Sequence, residues 1–103
     1  MKKQLLICSF LCCGNALADV QCSEKLTELH TGNEKVYFKS DQTCKDNFCI
    51  LAFQNEKANE RAYSILLAGY VSSQSIAFQW RDIDSCDSSN KAEAAPAFVG
   101  MKN

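Results

Sequence analysis

The chain predicts a mostly β domain with one helix, of α+β class, in the order β-β-β-α-β-β. Two patterns and one count carry this. Ala58, Ala62, Ile65, Leu66 and Gly69 recur at spacings of three and four, which gathers them on one face of a helix. From Ser75 to Arg81 apolar and polar residues alternate, as in a half-buried strand. Once an export segment is set aside, four cysteines remain, an even number in a small exported chain.

The export segment comes first in the chain. Lys2 and Lys3 give a basic start, Leu5 to Leu11 an apolar run, and Ala16-Leu17-Ala18 a small-x-small cleavage site. The run is too short to span a bilayer, so the expectation is a Sec-type signal over 1–18, cut after Ala18. Cys8, Cys12 and Cys13 leave with it. The mature chain, 19–103, is expected to be one periplasmic or secreted domain with no membrane segment. Without Lys2 and Lys3, eleven basic residues fall to nine against twelve acidic ones. A mildly acidic chain with no Lys/Arg cluster is a poor match for nucleic-acid phosphates.

Val20 to Leu29 reads as the first strand. Val20, Cys22 and Leu26 share a phase that Leu29 breaks, which predicts a bulge near Thr27. His30-Thr31-Gly32-Asn33 supplies turn residues, with Gly32 free to take positive φ. Lys35 to Lys39 resumes as the second strand, with Val36 and Phe38 on one face and Tyr37 on the other. Ser40 to Asn47 is a polar loop. Phe48 to Phe53 is an almost unbroken apolar run, which suggests a central strand buried on both faces.

The helix follows, with Asn55 as N-cap and Glu56 in its first turn, where a negative charge suits the helix dipole. Gly69 inside the apolar face implies close approach of a neighbour or the helix end, since glycine there costs about 1 kcal/mol against alanine. The strand Ser75 to Arg81 sets Ile76, Phe78 and Trp80 on one face. Asp82 to Ala94 is a polar surface loop, and Pro96 opens a final short strand, Ala97 to Met101.

Cys44 and Cys49 flank a short polar turn and are assigned to one bridge. Cys22 then pairs with Cys86, closing a long loop whose crosslink is worth roughly 3 to 5 kcal/mol in the chain-entropy model. The spacing is not the paired C-x-x-C of a zinc site, nor the C-x-x-C of a thioredoxin-like redox site.

No catalytic set is legible. His30 is the one histidine and sits beside a turn with no spaced nucleophile; a solvated His is the better reading. Asp82, Asp84 and Asp87 resemble part of a calcium loop but lack its glycine and terminal Glu, so a solvated loop is expected. There is no glycine-rich phosphate loop. No enzyme activity, cofactor or metal is therefore expected. Of the aromatics that could stack on a sugar, Tyr37, Tyr63, Tyr70 and Trp80, the strand phase assigns Trp80 to the core. Tyr37, which points opposite to Val36 and Phe38, is the favoured ligand-binding candidate.

Cys22, the Val36-Tyr37-Phe38 hairpin strand, Cys49 in its apolar strand, Ala62-Tyr63-Ser64-Ile65-Leu66-Leu67-Ala68, the strand Ile76 to Trp80, and Cys86 follow one another along the mature chain. In this layout it resembles small exported bacterial proteins related to the B subunits of AB5 toxins, especially the subtilase-cytotoxin type. The resemblance implies an OB-like, five-stranded, partly open barrel with the helix across one end. It further implies binding of a cell-surface glycan or a partner protein, and assembly as a homopentamer. No sugar-contacting residue of those subunits maps onto this chain, so Tyr37 rests on its strand phase alone. A monomeric structural or inhibitory periplasmic protein is the alternative. A small hydrolase built on His30 is the weakest reading.

Overall fold

The computed structural model describes residues 19–81, 83–87 and 93–101. The expected signal segment 1–18, Asp82 and residues 88–92 of the polar loop lie outside them. The described chain is mostly β with one helix: β1 (Val20–Glu24), β2 (Leu26–Gly32), β3 (Lys35–Ser40), β4 (Cys49–Ile50), α1 (Glu56–Ser72), β5 (Ile76–Trp80) and β6 (Phe98–Met101).

The strands form two antiparallel three-stranded sheets, ordered β1-β5-β6 and β2-β3-β4. The first strand of the sequence reading is thus two strands, one in each sheet. Its register shifts between Leu26 and Glu28, which makes Thr27 the extra residue, where the broken phase put the bulge. Lys25 is the corner between the sheets. Its backbone N–H donates to Asp41 Oδ1 at 3.1 Å, and its carbonyl accepts from Asp41 N–H at 3.0 Å. A corner that has left both ladders keeps its polar groups paired in this way.

Two details of the hairpin and of β4 differ from expectation. β2 runs through Gly32, so the turn is Asn33-Glu34, both at positive φ, while Gly32 is not. Two such residues in a two-residue loop follow the right-handed twist of the flanking strands. The run Phe48 to Phe53 gives only the two-residue β4, at a sheet edge rather than at its centre. Its apolar residues divide instead between the core (Cys49, Leu51) and half-buried positions (Phe48, Ile50, Phe53). A continuous apolar run need not be a central strand when its neighbours can come from a helix and a loop.

The sheets meet at stacked rings. Phe38 of β3 lies parallel to Phe78 of β5 with centroids 5.4 Å apart, and Trp80 sits 5.7 Å from Phe78. The predicted inward face of β5 is buried at Ile76, Phe78 and Trp80. α1 covers this core with Ala62, Leu66 and Gly69. Asn55 caps it, its side chain accepting from Ala58 N–H at 2.8 Å.

Gly69 is explained by close approach. A Cβ there would stand 2.6 Å from Ile76 Cγ1 and Cδ1, and Ile76 is fully buried, so something must shift. Gly69→Ala is expected to lower stability by about 1 kcal/mol. Overpacking of roughly 1 to 3 kcal/mol outweighs the roughly 1 kcal/mol gained in helix propensity. Urea unfolding checks it, and an unchanged or raised midpoint would contradict the packing argument.

Two disulfides complete the frame, Cys22–Cys86 and Cys44–Cys49. The first ties β1 to the polar loop across 64 positions; the second closes a turn of five.

Candidate functional site

Alternation along β3 sends Phe38 and Ser40 inward and Tyr37 and Lys39 outward. His30 of β2 lies directly opposite Tyr37 in the antiparallel register, and Ile50 of β4 faces Tyr37 from the other side. Phe48, just before β4, completes the group. Its ring makes edge contacts with His30 at 5.7 Å and with Tyr37 at 6.2 Å. Lys39 Nζ sits 4.8 Å above the Phe48 centroid, a cation–π contact worth about 0.5 to 1 kcal/mol near the surface. His30 Nε2 and Glu28 Oε1 are 3.0 Å apart.

The outer face of this sheet therefore gathers two aromatic rings, an imidazole, an ammonium and a carboxylate. Among the described residues, neither Tyr37 nor Phe48 joins the hydrophobic core cluster. Rings held at a surface by each other rather than by the core are available to stack on a flat apolar ligand face. His30 and Glu28 offer polar partners at the rim. Among the described residues no three His, Cys, Asp or Glu side chains are grouped to hold a metal. Asp82 of the acidic trio lies outside the described residues.

No protein-family model, curated protein or solved structure matches this chain. The site must therefore be read from its own geometry.

Behind that face lies a polar group that the sequence reading missed. Glu24, at the end of β1, is 0 % exposed and has no ion pair among the described residues. Its oxygens accept four hydrogen bonds. Oε1 takes the Ser40 hydroxyl and the Thr43 backbone N–H at 2.8 Å; Oε2 takes the Thr43 hydroxyl at 2.7 Å and Trp80 Nε1 at 3.1 Å. Ser40 Oγ in turn accepts from Cys44 N–H at 3.0 Å. The Thr43 hydroxyl also lies 3.3 Å from the Cys86 carbonyl. One carboxylate thus joins β1, β3, the loop after β3 and β5, and reaches a half of each disulfide. Four donors match the four acceptor positions of a carboxylate, so its burial leaves no lone pair unmet.

This group is a clamp and not a reaction centre. It has no free lone pair and no access from solvent. A signal for it did exist: Glu24 shares its phase with Cys22 and Leu26, the inward-facing residues of the first strand. Tyr37 sits where its phase predicted, on the outer face. Trp80 is core, its nitrogen spent on Glu24. Phe48 and Lys39 were missed as site residues because Phe48 read as part of a buried strand.

Proposed function

We propose that the mature chain is an exported, non-catalytic binding module that takes a glycan on the outer face of β2-β3-β4, similar in fold and role to AB5 toxin B subunits. The observation that carries this is the Tyr37–Phe48 pair, two rings outside the core flanked by His30, Glu28 and Lys39. Aromatic planes with polar groups at the rim suit the mixed apolar and hydroxyl surface of a sugar ring.

An OB-like arrangement is favoured by three features. A first strand bent at Lys25 serves both sheets. The helix packs across the core between β4 and β5 in the chain. Finally, Cys49 and Ala94 form a parallel bridge, with Ile50 N–H donating to Ala94 O and Glu93 N–H to Phe48 O, both at 2.9 Å. That single contact brings the β4 side of one sheet against the approach to β6 in the other, as partial closure of a barrel requires. In oligonucleotide- and oligosaccharide-binding barrels of this kind the same sheet face carries the ligand.

A glycan array probed with the processed, oxidised chain tests the reading. Binding is expected to fall at least tenfold in the Tyr37→Ala/Phe48→Ala double variant, with little loss of fold because neither ring is core. Base–aromatic stacking, the nearest measured analogue, costs roughly 1 to 3 kcal/mol per ring on removal. No glycan bound, or binding indifferent to both rings, would remove the proposal. Sedimentation of the same sample tests assembly as a ring of five; a strict monomer that ignores the array would favour the structural or inhibitory alternative.

A further inference from the structure

The two disulfides differ in what covers them. Cys44 and Cys49 are both 0 % exposed. Cys22 is buried too, but its partner Cys86 is half-buried, in a turn between exposed Ser85 and Asp87. Cys86 Sγ lies 3.3 Å from the Gln21 carbonyl oxygen, beside edge strand β1. A thiolate breaks a disulfide only by reaching one of its sulfurs, so access decides which bond goes first. Of the four described cysteines, Cys86 alone offers that access.

The cover over the inner bridge depends on the outer one. Ser40 and Cys44 close a tight turn, Ser40 N–H donating to the Cys44 carbonyl at 3.1 Å and Cys44 N–H to Ser40 Oγ at 3.0 Å. Thr43 inside that turn is buried. Glu24 accepts from its N–H and hydroxyl, and the Cys86 carbonyl lies 3.3 Å from the same hydroxyl. The Cys86 segment is tethered there by its bond to Cys22 of β1. The inner bridge in turn closes the short loop that carries Phe48, one residue before Cys49.

We propose that the two bridges form a redox latch that a dithiol reductant opens in order: Cys22–Cys86 first, then Cys44–Cys49, which releases Phe48 from its place beside Tyr37. A thiolate of the reductant bonds to Cys86 Sγ as the bond to Cys22 breaks. The electron pair stays on Cys22 Sγ, which takes up a proton. The reductant's second thiolate then attacks its own bound sulfur and displaces Cys86, which is protonated in turn. The reductant leaves as a disulfide, and the chain has gained two electrons and two protons. With the tether gone, the Cys86 carbonyl leaves Thr43, the turn loosens, and the same exchange reaches Cys44–Cys49. The device belongs to the fold and holds whether or not the outer face takes a glycan.

Timed reduction of the oxidised 19–103 chain with dithiothreitol, quenched by iodoacetamide and mapped by peptide mass, tests the order. A species alkylated at Cys22 and Cys86 with Cys44–Cys49 intact is expected to exceed the converse species about tenfold or more. A second measurement asks whether attack falls on Cys86 in the folded chain. Asp84 and Asp87, both exposed, flank it. Relative to a neutral model disulfide, cationic cysteamine should therefore open the outer bridge about threefold faster than anionic 3-mercaptopropionate at low salt. Asp84→Asn/Asp87→Asn is expected to erase that difference and to keep the circular dichroism of the parent. Amide shifts of His30, Tyr37 and Lys39 are expected to hold through the first stage and to move in the second. Both bridges lost together, the inner bridge lost first, rates blind to the two aspartates, or those amides moving in the first stage would each overturn the proposal.

Discussion

Glu24→Ala is expected to lower the stability of the processed chain by about 4 kcal/mol. The hydroxyls of Ser40 and Thr43 can turn to other acceptors, and Thr43 already lies near the Cys86 carbonyl. The Thr43 backbone N–H and Trp80 Nε1 cannot turn, and each buried donor left unmet costs roughly 1 to 3 kcal/mol. The cavity of the lost side chain adds to that. Against a total of about 5 to 15 kcal/mol for a small domain, that is a large share of the stability. Glu24→Gln keeps the shape and one acceptor oxygen but turns an amide NH2 toward two donors, so roughly half the loss is expected. Urea titrations followed by Trp80 fluorescence measure both. A Glu24→Ala protein within 1 kcal/mol of the parent would show that the two sheets are not joined through this carboxylate.

The second large effect belongs to the long crosslink. In the chain-entropy model a bridge across 64 positions is worth about 4 kcal/mol, and one across five about 2 kcal/mol. Removing Cys22–Cys86 as a Cys22→Ala/Cys86→Ala pair should therefore cost about twice what the Cys44→Ala/Cys49→Ala pair costs. The long bridge also holds the segment whose carbonyl meets Thr43, so its loss loosens the Glu24 clamp. Calorimetry of the two double variants gives the ratio. Equal losses, or the greater loss for the short bridge, would mean that local packing and not loop closure sets the value of these bonds.

Much of the frame was legible because it follows from periodicity. The helix, its Asn55 cap, the inward face of β5 and the bulge at Thr27 each arise from spacing that a local rule can read. Other features depend on what lies across the fold. Phe48 to Phe53 is apolar in sequence yet splits between core and surface, because β4 has a sheet partner on one side and only a bridge on the other. The turn moved from Gly32 to Asn33-Glu34 because the register with β3 decides where the hairpin closes, and glycine's freedom was not needed there. Glu24 was passed over for a related reason. A carboxylate at an inward position can be buried only if donors from other strands arrive, and Ser40, Thr43 and Trp80 are 16, 19 and 56 residues away.

The candidate face was half legible. Strand phase placed Tyr37 outward, but its grouping with Phe48, His30 and Lys39 comes from register and from a residue outside any strand. Together the clamp and the crosslinks tie the two sheets to each other behind the outer face of β2-β3-β4.

The most direct test of the proposed glycan face is an amide-shift map of the 15N-labelled, oxidised chain titrated with the glycan that binds most strongly on the array. Shifts concentrated at Glu28 to His30, Tyr37 to Lys39 and Phe48 to Ile50 are predicted. Silence at those amides, with shifts gathered elsewhere on the molecule, would contradict it.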